Sequence, residues 1–166
     1  MVLRLPKAGL MAILFDILVE LQKQVQALDL PGIPPGNVVL CQVPAVEIAR
    51  MNSQQLPAVV IAPFGAETVA PQSNLKDDVV YPVLVAIVAS TKITAENVNE
   101  KQLADFDQRL TWRQTIRQAF SSQRLTQSLV HQIGVQPLQI VDPTAYARDL
   151  YVSGFLLRLA NREGRT

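Results

Sequence analysis

A chain of 166 residues with 49% apolar and 17% charged residues is long enough to bury a core without disulfides or metal, and too apolar to be disordered. Its net charge of +1 gives no bulk attraction to nucleic acid or to an anionic membrane, and its one cysteine, Cys41, excludes an internal disulfide. So low a charged share points to surface that neighbouring subunits cover.

Arg4 and Lys7 precede an apolar run from Ala8 to Phe15, a pattern that superficially resembles a signal peptide. Asp16 and Glu20 interrupt it, no small-x-small site follows, and the run is too short to span a bilayer. The segment instead predicts a helix over about 8–28 in a cytoplasmic protein. Leu10, Leu14, Ile17, Leu21, Val25 and Leu28 recur at three- and four-residue steps, and Met11, Phe15 and Leu18 widen that face. The prolines and glycines of 30–36 end it.

Val38 to Val43 predicts a first strand, Val46 to Met51 a helical turn, and Pro57 to Ala62 a second strand buried on both faces. Pro63 to Lys76 has no periodicity and predicts a long loop. Val79 to Ser90 carries the strongest strand pattern, with Pro82 placing its first part at an edge or bulge. Thr94 or Asn97 can cap a second helix over roughly 98–120, anchored by Leu103, Phe106, Leu110, Ile116 and Phe120. Val135 to Val141 and Leu150 to Leu159 predict the closing strands, with Gly154 a bulge and 161–166 a loose polar tail. No repeat or linker divides the chain, so residues 1–166 form one domain. The expected fold class is α+β, a mostly antiparallel sheet with two long helices packed on one face.

Groups suited to catalysis are sparse. His131 is the one histidine, in a polar stretch, and a general base needs a substrate group or nucleophile placed beside it. Cys41 lies within an apolar strand, where a thiol behaves as a small hydrophobe. Asp77 and Asp78 are the one adjacent acidic pair, at a strand start, without the clustering that metal ligation requires. The seven glycines build no phosphate-binding turn. The expectation is therefore no catalytic, cofactor-binding or metal-binding residue, no cofactor, and no enzyme.

One pattern stands apart. Arg109, Arg113 and Arg117 are spaced four apart on the second helix and form a stripe, with Arg124 just beyond and Asp105 placed to pair with Arg109. Such a stripe is a solvated face, or it meets acidic surfaces of neighbouring subunits, or it faces DNA in a channel. With a net charge of only +1, protein contact is favoured over phosphate contact. Trp112, the one tryptophan, either anchors an interface or closes the flank of the core. Arg109, Arg113, Arg117 and Trp112 are the interface or channel candidates. Arg158, Arg162 and Arg165 form a weaker basic cluster.

The layout is similar to that of phage tail-terminator proteins. The likeness lies in Tyr81-Pro-Val-Leu-Val-Ala-Ile-Val88, in Trp112-Arg113 with Ile116 and Phe120, and in Tyr151-Val-Ser-Gly-Phe-Leu-Leu157 leading to Arg162-Glu163. It spans residues 8–163 as a diffuse pattern. The resemblance implies a subunit of a hexameric ring in the virion neck, assembled in the bacterial cytoplasm, that caps the tail tube and joins it to the head connector. It implies partners in the tail-tube and connector proteins, genomic DNA passing through the channel without sequence readout, and no membrane. Pro63 to Lys76 would then serve as a contact arm. The competing readings are another connector or stopper protein, a small ligand-binding or enzymatic domain using His131 or Cys41, and a nucleic-acid binder using the arginine stripe.

Overall fold

The computed structural model describes residues 13–71, 75–92, 98–122 and 129–164. Helix α1, Ile13–Ala27, buries Ile17, Leu18, Leu21 and Val25, the stripe that the four-residue spacing predicts. Phe15, expected on that face, is exposed, and the predicted start at 8–12 lies outside the described residues. After α1 the chain turns through Pro31 and Gly32, whose φ of +81° lies in the left-handed region open to glycine.

Strand β1, Val38–Leu40, is followed by helix α2, Pro44–Arg50, and strand β2, Ala58–Pro63. β1 runs parallel to β2, with Val38 opposite Val59 and Leu40 opposite Ile61. A connection carrying its own helix returns the chain in the same direction, the usual route to parallel neighbours. Strand β3, Thr68–Pro71, pairs antiparallel with the first part of β4, Lys76–Ser90. Helix α3, Val98–Ser122, leads to strand β5, Gln132–Pro137, the short helix α4, Pro143–Tyr146, and strand β6, Leu150–Gly164.

The strands form one six-stranded sheet in the order β1-β2-β4-β6-β5, with β3 also on β4. β4 and β6 pair along their whole length, from Lys76 opposite Gly164 to Ser90 opposite Leu150. β6 thus occupies one flank of β4, while β3 and then β2 share the other. Pro82 falls between the two, where β3 has ended and β2 has not begun, so its missing N–H breaks no ladder there.

The expected architecture needs correction. The sheet is mixed, because β1 and β2 are parallel, and the helices number four among the described residues. Three local expectations also change. The loop over 63–76 contains β3, residues 161–164 continue β6, and Gly154 sits in regular register opposite Ala86 with no bulge. A Cβ on Gly154 would lie 3.4 Å from Leu84 Cδ1 and 3.5 Å from the Val85 carbonyl oxygen, so close packing is what its position requires. The proposed caps Thr94 and Asn97 lie outside the described residues.

The core gathers on the sheet face that carries Val59, Ile61, Val83, Val85, Ile87, Phe155 and Leu157. Both α1 and the second half of α3 dock there, through Ile17, Leu21 and Val25 and through Trp112, Ile116 and Phe120. The opposite face of the central strands is buried too, at Val60, Ala62, Ala86 and Val88, which explains their unbroken apolar runs. Among the described residues no helix is long and apolar enough to cross a membrane.

Candidate interaction surface

The side chains of α3 divide at its middle. Its C-terminal half meets the core, with Trp112, Arg113, Ile116 and Phe120 all buried. The Trp112 indole donates from Nε1 to the Pro31 carbonyl at 2.7 Å, and Gln108 Nε2 reaches the same oxygen at 3.3 Å. These bonds fasten α3 to the turn that follows α1.

Arg113 is only 8% exposed and spends its donors inside the chain. Nη1 donates to Ser153 Oγ at 2.6 Å, to the Gly154 carbonyl at 3.1 Å and to the Gln139 carbonyl at 3.3 Å. Nη2 donates to the Leu138 carbonyl at 2.8 Å, and the guanidinium lies 4.3 Å from the Phe155 ring centroid. Burial lowers its pKa, opposed by Tyr151 and reinforced by Arg117. It is a cation held by carbonyl dipoles, a hydroxyl and a ring face, and it ties α3 to β6 and to the segment after β5.

Arg109 donates from Nη2 to the Ser90 carbonyl at 2.9 Å and sits 5.0 Å above the Tyr151 ring. The ion pair with Asp105 that their spacing allows is absent among the described residues. Arg117 is exposed, and Arg124 lies outside the described residues. The stripe is therefore not a continuous outward face. Arg113 and Trp112 are internal to the chain, Arg109 is half-buried, and Arg117 alone of the four points fully outward.

The N-terminal half of α3 projects past the core. Leu103 and Phe106, read from the sequence as core anchors, are exposed instead. They face the segment between β5 and β6, where the Asp142 side chain accepts from the Thr144 and Ala145 amides and starts α4. Between them runs an open groove of about 1270 Å³, walled by Leu103, Phe106, Ile140, Val141 and Tyr146, with Arg109 and Tyr151 also lining it. The Tyr151 hydroxyl is buried and has no hydrogen-bond partner among the described residues. Sequence reasoning missed this groove; the one available signal was the dense polar content of Asn99 to Gln102 around Leu103, unusual for a docked helix.

The remaining candidates lie apart. Cys41 follows β1 at one edge of the sheet and His131 precedes β5 at the other. Burial raises the Cys41 thiol pKa, and the nearby Glu47 adds to it, the opposite of what a nucleophilic thiolate needs. Asp78 pairs with Arg162 directly across the strands, Nε to Oδ1 at 2.9 Å. Arg158 and Arg162 are thus exposed strand residues rather than part of a tail, while Arg165 lies outside the described residues. Among the described residues no three His, Cys, Asp or Glu side chains gather at metal-binding spacing. Comparison with protein-family models and with curated proteins finds no match to this chain.

Proposed function

We propose that this chain is a structural ring subunit of a tailed-phage neck, located in the virion, capping the tail tube and joining it to the head connector. The observation that carries the reading is the groove beside α3. A helix that lifts Leu103 and Phe106 clear of its own core presents apolar surface for assembly. The segments that resemble tail terminators support it in another way. Tyr81 to Val88 lies in β4, Tyr151 to Leu157 in β6, and Trp112-Arg113 locks α3 onto them, so the likeness concerns the scaffold. A subunit of this kind works through its interfaces and needs no catalytic group. Its partners would be further copies of itself and the tube and connector proteins, with DNA passing through unread. The internal place of Arg113 removes the middle of any DNA-binding stripe and favours this reading over a nucleic-acid binder.

Native mass spectrometry and negative-stain microscopy of the purified chain test the proposal. A closed hexamer of 18.3-kDa subunits would have a mass of roughly 110 kDa and appear as a ring. A chain that stays monomeric at every concentration, and forms no ring when mixed with tail tube, would overturn it.

A further inference from the structure

We infer that a cationic notch at the end of β4 is a binding site for a small phosphate monoester. The inference stands apart from the ring reading above, and its test reads ligand binding and not assembly.

The notch, of about 270 Å³, lies between α3, the end of β4 and the turn over Ser53–Gln55 that precedes β2. Lys101, Asp105 and Arg109 stand four residues apart on α3, so they share one helix face, and all three line the notch. Ser90 and Lys92 line it from the end of β4, and Ser53 lines it from the turn. Its walls are tied in place. The Asn52 side chain accepts from the Gln54 and Gln55 amides and holds the turn. Trp112, which also lines the notch, is fastened through Nε1 to the Pro31 carbonyl.

Charge and available donors say what the notch would hold. Three cations and one carboxylate give it a net +2, whereas the whole chain carries only +1. Among the described residues Lys92, Lys101 and Arg109 form no ion pair. Nη2 of Arg109 is pinned to the Ser90 carbonyl at 2.9 Å, while its Nε and Nη1 have no acceptor among the described residues. The Ser90 hydroxyl accepts from the Lys92 amide at 3.3 Å, which leaves its own proton to donate.

A phosphate monoester matches this set. At neutral pH it carries a charge of about −1.5 to −2 and three strong acceptor oxygens, whereas a carboxylate brings a single charge and two oxygens. The lysine amines supply rotatable donors and the guanidinium a planar fork, both suited to phosphate. At about 270 Å³ the notch is close to the lower end of small-ligand pockets, with room for a phosphate and the sugar that carries it. A DNA backbone fits less well. The cations surround one notch, and the next arginine along α3, Arg113, is turned into the core. Asp105 is the one opposing charge and repels the same ligand, so removing it acts with the opposite sign to removing a lysine.

Titration of the wild-type chain with ribose 5-phosphate, followed by heteronuclear NMR and by Trp112 fluorescence, tests this. Saturable shifts are expected over 90–92 and 101–109, with a Kd on the order of 1 mM, and sodium chloride at matched ionic strength should not reproduce them. Lys92→Gln and Lys101→Gln, both at exposed positions, should each weaken binding about twofold to fivefold. Asp105→Asn should tighten it by a similar factor, a gain that a misfolded variant could not produce, and circular dichroism checks all three folds. The absence of a saturable shift up to about 10 mM would overturn the proposal. An affinity that the lysine variants leave unmoved, or equal binding of ribose without its phosphate, would do the same. Tighter binding of a DNA duplex lacking terminal phosphates, at the same residues, would also overturn it and assign the notch to a nucleic-acid backbone.

Discussion

Arg113→Ala removes a guanidinium that holds four acceptors on two segments, Ser153 and Gly154 of β6 and Leu138 and Gln139 after β5. Hydrogen bonds to a charged group contribute about 1.5–3 kcal/mol each, but these four do not add. Gly154 keeps its bond from the Leu138 amide at 3.0 Å, and the exposed Gln139 lets water reach its carbonyl. No carboxylate is left stranded, so the loss stays below the 3–5 kcal/mol range typical of broken buried ion pairs at its upper end. Lost stem packing and the contact with Phe155 add about 1 kcal/mol, and relief of guanidinium desolvation subtracts from it. The expected cost is about 2–4 kcal/mol, or a fall in melting temperature of about 6–12 °C near the middle of that range. Urea unfolding followed by circular dichroism and by Trp112 fluorescence measures it. Arg117→Ala, on the exposed turn that follows, is the control and should stay within about 0.5 kcal/mol of wild type. Arg113→Lys keeps the charge without the planar fork and should recover less than half of the loss. If Arg113→Ala proves no more costly than Arg117→Ala, the buried network does not hold the fold.

Ile116→Ala should cost about 2–5 kcal/mol in the same urea assay, because Ile116 is fully buried, whereas Leu103→Ala should cost under about 0.5 kcal/mol in the monomer. Arg162 beside Asp78 holds that carboxyl below its ordinary value of 3.8. The stabilisation from this pair is therefore fully present above that value and is lost as pH falls through the lowered one. An NMR titration should show the Asp78 midpoint rising in Arg162→Gln; an unchanged midpoint would remove Arg162 as the cause. Burial, and then the bond to Glu163, push the Tyr81 phenol well above its ordinary value of 10. Any stability it lends is present below that value and is lost as pH rises beyond it, so Tyr81→Phe should leave the phenolate absorbance titration unchanged up to about pH 11.

The strands that form the middle of the sheet were readable because their side chains are buried on both faces, as in Val83 to Val88. The parallel pairing of β1 and β2 was readable in principle. A connection over 41–57 that carries a helix is too long for a hairpin, and its length argues for a crossover. β3 was not readable, because all four of its residues are exposed and no alternation marks it. The strand at 161–164 was hidden for a related reason. Asn161 to Gly164 is polar, and what pairs it is Lys76 to Val79, more than eighty residues earlier. Local pattern carries no trace of a partner at that distance.

The misreading of α3 has a cause that also explains the groove. Its 25 residues extend about 37 Å, longer than the stretch that meets the sheet, so apolar spacing alone does not say which half docks. The register of β5 decides it. β5 and β6 pair as far as Pro137 opposite Phe155, after which the chain keeps only isolated bonds to β6, from the Leu138 amide to Gly154 and from the Asp142 amide to Val152. Where it leaves the ladder, the carbonyls of Leu138 and Gln139 need donors, and Arg113 supplies them. Where it bows away, Ile140 and Tyr146 come out beside Leu103 and Phe106 and wall the groove. The buried arginine and the exposed apolar surface are thus two consequences of one break in the ladder at Pro137. A polar residue on the docked half of the helix and apolar residues on the free half follow from where the strand lets go, and neither follows from the helix pattern itself.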